Sequence, residues 1–335
     1  MAASDHSRRN ALRLSGRIVA ALAFSVAADG QSFAADSYPS GPIRVVVPFV
    51  PGGAVDLVGR LVAQYLGAAF GQEVFVDNRG GAGGSIGSAY VARAAANGYT
   101  LIVQSVSSAV INGLVYKKLP YDLRHDFTPV AEIAQSPTLL VINAKLPATN
   151  LREFIALAKD NPGKFNFGST GVGGSVHMAG VLFEAMTGTK LVHVPFRGAG
   201  PAVEALVAGE TQMEVGSVIA FLPFVRSGQL RALCVNGDER IALLRDVPTA
   251  AQAGLPRFVL PDWYGMFAPH GTPDDVVARL QQAVAAMLAK PEVTQRLAGL
   301  GLSPVSKTPA EFAAYWNSEF DFWAPIVKAS GVSLD

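Results

Sequence analysis

Three short stretches carry residues from which a binding site could be assembled: PFVPGGAVD (48–56), NRGGAGGSIGSA (78–89) and GSTGVGGSVHMAG (168–180). Each places glycines where an apolar, strand-like run gives way to a helix-like pattern. Glycine lets the backbone come close to a ligand. A helix start leaves N–H groups unpaired and adds about half a positive charge. Together these hold an anion without lysine or arginine. One such turn is explained as well by a reversal of chain direction. Three of one design point to an anion-binding cleft at the carboxyl ends of strands, where open α/β sheets bind ligands.

Side chains near these turns admit fewer chemistries than first appears. Gly83-Gly84-Ser85-Ile86-Gly87 fits the G-x-S-x-G nucleophile elbow. That elbow needs a sharp turn directly off a strand, and here the residues 78–83 intervene. Ser85 reads better as a helix cap or a hydroxyl donor to a ligand. No P-loop and no complete G-x-G-x-x-G is present, since Val176 stands where the third glycine would follow Gly171 and Gly173. The five histidines show no metal-ligand spacing, so neither a metal nor another cofactor is expected. His177, in the first turn of its helix, either donates as a neutral ring to a bound carboxylate or fills local packing. Asp56 is expected to bond the N–H groups of its own loop. Arg197 either pairs with an anion or is a solvated turn residue.

The elements that must position these turns alternate. Strands are expected at 43–49, 73–78 and 99–105, with helices at 55–70 and 85–96 between them. Val55, Val58, Val62 and Leu66 form one apolar helical stripe. A second series runs strand 138–143, helix 151–159, strand 164–169, helix 175–187, strand 190–196, helix 201–208, strand 212–217, helix 221–227 and strand 230–236. Helices at 273–288, 291–300 and 309–329 follow, each with a proline in or near its first turn. Two such series predict an α/β protein of two lobes with parallel sheets covered on both faces.

Composition agrees. The chain has 335 residues, and a net charge of +1 gives no reason to expect nucleic acid. Cys234, the lone cysteine, lies in an apolar run and reads as a small buried hydrophobe. Trp263, Trp316 and Trp323 read as core. Residues 1–35 run from arginines (8, 9, 13 and 17) through an apolar segment to Ser32-Phe33-Ala34, the order of a secretory signal. Arg8-Arg9 admits a twin-arginine export route as well as the general one. The mature chain is expected to be soluble and periplasmic.

In order along the chain, YPSGPIRVVVPFVPGGAVD, DNRGGAGGSIG, NGYTL, LPYDLRHDFTPV, GSTGVGGSVHMAG, VPFRGAGPAV and DVPTAAQAGLP resemble the Bug-type extracytoplasmic solute receptors. These are the substrate-binding proteins of tripartite tricarboxylate transporters. The resemblance covers nearly all of the chain after Tyr38. It implies a type II periplasmic binding protein fold: two α/β lobes, a central cleft and two crossing hinge strands. Lobe 1 would hold residues 36–139 plus 262–335, and lobe 2 residues 140–261.

It also implies ligand contacts at Phe49, Pro51, Gly52 and Gly53, at Gly84 and Ser85, and at Ser105, Ser107 and Ser108. From the second lobe it implies Thr170, Gly173, Gly174, Ser175 and His177, with Phe196, Arg197 and Gly198. The expected partner is a small organic carboxylate, and the receptor, a monomer, would hand it to membrane transporter subunits or report it to a sensor protein. A serine hydrolase built on Ser85 is the enzymatic alternative. The chain departs from the family's GQVDMMFD stretch, with Gln212 and Gly216 at the two aspartate positions. Gly216 removes a carboxylate expected to face the cleft, which makes an amino-acid ligand less expected.

Overall fold

The run IRVVV forms β1 (Ile43–Val47), whose four apolar side chains are fully buried. A strand covered on both faces needs no polar alternation. Helix α1 (Ala54–Phe70) follows and lays its stripe of Val55, Val58, Val62 and Leu66 against the sheet. Then come β2 (Val74–Asn78), α2 (Ser85–Ala92), β3 (Thr100–Ser105), a π-turn (Ser107–Ile111), the short α3 (Asn112–Val115) and β4 (Phe127–Asn143). The next part holds α4 (Leu151–Asp160), β5 (Asn166–Ser169), α5 (Ser175–Thr187), β6 (Val192–Pro195), α6 (Ala199–Ala208), β7 (Met213–Ser217), α7 (Val218–Arg226) and β8 (Leu230–Asn236). The chain closes with β9 (Pro261–Pro269), α8 (Asp274–Leu288), α9 (Pro291–Gly299), β10 (Ser303–Pro304) and α10 (Pro309–Ser330). This computed structural model describes residues 38–335, so the expected export signal at 1–35 lies outside the described residues.

The strands make two sheets that share β4. Its first part, through Pro137, pairs antiparallel with β9 and β10, and β9 leads on to β3, β1 and β2. Its second part, from Thr138, pairs antiparallel with β7 and β8, and β7 leads to β5 and β6. Each sheet is therefore mixed. The expected parallel arrangement holds for β1–β3 and for β5–β7 and is broken where β4 and β9 run against their neighbours. Prolines at 129 and 137 obscure β4 in the sequence, since proline lacks the ladder N–H. The fold accommodates Pro129 beside a register shift and Pro137 where the strand passes from one sheet to the other.

That passage is tied down by side chains. Asn236 donates to the Thr138 hydroxyl (2.9 Å), which in turn donates to the Leu260 carbonyl (3.1 Å). Cys234 is buried beside them with its Sγ 3.2 Å from Asn236 Oδ1, the small packed residue its sequence context suggests. Helix α10 packs on β4 and also on α5, so one helix braces both sheets. Its start has a full capping box, Thr308 with Glu311. The three tryptophans are core: Trp263 and Trp323 donate to Glu319 and Trp316 donates to the Ala109 carbonyl.

The glycine of β9 shows how tight this core is. A Cβ on Gly265 would stand 2.2 Å from the Phe312 ring, so Gly265→Ala must displace an aromatic side chain that is fully buried. Overpacking of this kind costs about 1–3 kcal/mol. Urea unfolding is expected to show that loss for Gly265→Ala and a change within about 0.5 kcal/mol for Gly299→Ala, whose added methyl meets nothing within 4 Å.

Candidate functional site

A cleft of about 440 Å³ opens between the two sheets, within the roughly 300–1,000 Å³ usual for small-molecule sites. Four helices begin on its wall. Gly53, Ala54 and Val55 bring the start of α1; Ser175 and Val176 that of α5; Gly198, Ala199 and Gly200 that of α6; Ser217, Ile219 and Ala220 that of α7. None of these four starts has a side-chain cap, whereas α4 is capped by Asn150 and α10 by Thr308. The first N–H groups of a helix have no partner within it. Four such ends give the cleft a donor-rich rim, on which the acid Glu204 of α6 also lies. Among the described residues no lysine, arginine or histidine lines it. Phe49, Val203, Phe221 and Phe224 supply the apolar part of the wall.

Of the residues expected in the site, the structure brings Phe49, Gly52, Gly53, Ser105, Ser107, Thr170, Ser175 and Gly198 onto this one wall. Pro51 and Arg197 are exposed, and neither they nor Phe196 line it. The β1–α1 turn owes its shape to Asp56. This buried carboxylate accepts from Gly52 N, Arg60 Nε and Asn78 Nδ2, each at 2.9 Å. Burial opposes its charge, but the bonds from Arg60, Gly52 and Asn78 win and hold its pKa below the usual carboxylate value. Asp56 thus does the structural task expected of it, and Gly52 spends its N–H inside the loop.

The second glycine turn stands behind the first rather than on the wall. A Cβ on Gly84, whose φ is +97°, would lie 3.0 Å from Ser108 Cβ and 3.3 Å from the Phe49 ring. On Gly87 it would lie 2.9 Å from Pro48. The glycines there serve close packing of one loop on another. Ser108, fully buried, has its hydroxyl 3.3 Å from the Ser105 carbonyl. Ser85 faces a separate pocket of about 680 Å³ with Tyr90, Arg93 and Pro120, lined among the described residues by neither histidine nor acid. It enters from a 3₁₀ turn, so the nucleophile elbow is not formed.

The third turn joins the two lobes. A side chain begun on Gly173 (φ +79°) would meet Leu334 at 3.0 Å and Val115 at 3.1 Å, and one on Gly174 would lie 3.5 Å from the Ser107 hydroxyl. Beneath this turn two histidine rings stack, His177 on His193, with centroids 3.6 Å apart and planes within 7°. His177 Nδ1 accepts from Gly173 N (3.1 Å), and His193 Nε2 sits 2.6 Å from the Ser169 hydroxyl. His177 therefore holds the turn from below and does not line the cleft. Burial lowers both rings to about 4, with the His193 charge adding to the effect on His177.

The cleft floor holds residues the sequence reading passed over: Glu214, Ser217, Asp262 and Tyr264. The expectation that Gly216 leaves no carboxylate in the cleft is corrected here. Glu214 lies two residues before Gly216 on the same strand, so period-two alternation puts it on the same face. That alternation was the available signal.

The histidine pair makes a testable pH dependence. A base whose folded pKa is lowered binds more protons when unfolded, so its contribution rises with pH. The pair's contribution is full above about 6.5 and is lost as pH falls toward about 4. In thermal unfolding scans across that window, His193→Phe is expected to lose stability less steeply with acid than the parent chain. An unchanged slope contradicts the assignment.

Comparison with known proteins agrees with this architecture. The family described as "Tripartite tricarboxylate transporter family receptor" matches residues 58–332. BugT of Bordetella pertussis is 35% identical over 321 residues, covering 95% of this chain and 98% of its own. The structure of Rpa4515 from R. palustris with adipate superposes with a TM-score of 0.84 at 33% identity, covering 88% of this chain and 99% of that one. MatC from Rhodopseudomonas palustris with bound malate gives 0.80 at 34%, covering 87% and 100%. The two sheets sharing β4 are the two lobes of a periplasmic binding protein, and the serine-hydrolase alternative falls, because the family is one of receptors. With its fold, its cleft and its sequence in accord, this chain belongs to the tripartite tricarboxylate transporter receptor family, the Bug-type solute receptors.

Proposed function

We propose that this receptor captures a small organic carboxylate in the interlobe cleft, outside the cytoplasm, and presents it as a single chain to membrane subunits of a tripartite transporter. The observation that carries the ligand class is the wall itself: four uncapped helix starts and no cationic side chain. Such a wall favours a compact anion through N–H groups and helix dipoles. Adipate and malate bound in relatives about one-third identical support the same reading. Among the described residues no helix is long and apolar enough to cross a membrane.

Closure would turn about the crossing strands, with the lobe boundary at 139–140 on β4 and 261–262 at β9. A ligand touching both lobes stabilises the closed arrangement by its differential contacts. Phe49, Gly53, Ser105 and Ser107 would contribute from one lobe, and Thr170, Ser175 and Gly198 from the other. Gly52 shapes its turn through Asp56 rather than donating to the ligand.

Isothermal calorimetry with a panel of aliphatic and aromatic carboxylates is expected to find at least one binder. Ala199→Glu, which puts an anion at the start of α6, should weaken that binder about tenfold or more, since 1.4 kcal/mol of like-charge repulsion suffices. Ala199→Gln should weaken it less. Equal loss in the two variants would contradict an anion site.

A further inference from the structure

The cleft is not uniformly electropositive. Its lining includes buried oxygen atoms with no hydrogen-bond partner: Ser217 Oγ at the start of α7, Asp262 Oδ1, and Glu214 Oε2, which is turned toward Gly168 and the Thr211 hydroxyl. Glu214 is 2% exposed and its Oε2 has no hydrogen-bond partner. Leaving such a group unpaired in a protein interior is costly, so buried polar atoms nearly always have partners. Pairing to β4 places Ser217 and Asp262 near each other, and Glu214 pairs opposite Val141 further along the same strand. Ser217 of β7 pairs opposite Thr138 on one side of it, and Asp262 of β9 pairs opposite Ser136 on the other. Asp262 has one oxygen already engaged, accepting from the Tyr264 hydroxyl at 2.8 Å, which fixes the carboxylate and leaves Oδ1 unpaired. Ser217 stands at the N-cap of α7 but does not cap it.

We propose that Glu214, Ser217 and Asp262 form a specificity-determining subsite that selects a hydrogen-bond donor, hydroxyl or amino, on the captured acid. The inference rests on the reading of the cleft as a carboxylate site and adds the chemistry of the ligand's other end. A donor satisfies the unpaired oxygens. A second carboxylate placed there meets like charge on Asp262, with no cation on the wall to offset it. Burial raises Asp262 to about 6 and Glu214 to about 8. The subsite thus favours a hydroxy or amino monocarboxylic acid over a plain diacid.

Calorimetry on the mature protein with matched acids tests this: butyrate, its hydroxy and amino derivatives, and succinate, with the corresponding benzoate series. The expected result is that at least one hydroxy or amino acid binds about tenfold or more tightly than its parent acid and its diacid. Glu214→Leu and Asp262→Asn should each bring the ratio of derivative to parent-acid affinity below about threefold. A plain acid binding as well as its hydroxy and amino derivatives overturns the subsite and leaves the carboxylate reading standing. So does a preference that survives both substitutions, or a diacid that binds best. Binding of none of the acids overturns the carboxylate reading and the subsite with it. The hydroxyl and amino arms tell the two donors apart.

Discussion

The whole arrangement depends on helix starts that are left without caps. A helix end normally has its first N–H groups satisfied by a serine, threonine, asparagine or aspartate side chain. This protein does that for α4 and α10, and leaves α2, α3, α8 and α9 without a side-chain cap as well. At α1, α5 and α6 the capping position is glycine instead, and at α7 it is a serine whose side chain does not cap. Those four ends meet on one wall. The donors withheld from the helices become the recognition surface, and the dipoles supply its charge.

Holding such ends together requires rigid turns, and each turn has its own brace. Asp56 gathers Gly52, Arg60 and Asn78 around the first. The second turn, rich in glycine, packs directly on the first from behind. The third is held by the stacked histidines and by contact with Val115 and Leu334 of the opposite lobe. The polar chain Asn236–Thr138–Leu260 fixes the place where the lobes join. Rigidity lies in the loops and their supports, while the crossing strands are the natural place for lobe motion.

Much of the fold was legible in the residues. Apolar runs and helical stripes placed most strands and helices to within a few positions, because α/β alternation leaves a strong pattern. The first half of β4 was hidden by Pro129 and Pro137, and with it the antiparallel pairing that makes both sheets mixed. The site was legible in part. Gly53, Ser175 and Gly198 announce helix starts, and those starts do line the cleft. Gly84, Ser85 and Gly173 look the same in sequence yet serve packing or lie elsewhere, because glycine for close approach to a ligand and glycine for close approach to another loop leave one signature. The floor went unseen for a different reason. Glu214 and Asp262 are single acids inside strands: alternation with Gly216 could have pointed to Glu214, whereas the place of Asp262 comes from the pairing of β9 with β4.

The central claim is that backbone N–H groups from both lobes, rather than cationic side chains, hold the carboxylate. A crystal structure of the protein with a bound acid tests it most directly. The account predicts a carboxylate within hydrogen-bond distance, directly or through one water, of amides at the start of α1 and at the start of α5 or α6. A carboxylate paired instead with an arginine or lysine side chain, or bound outside this cleft, would contradict it.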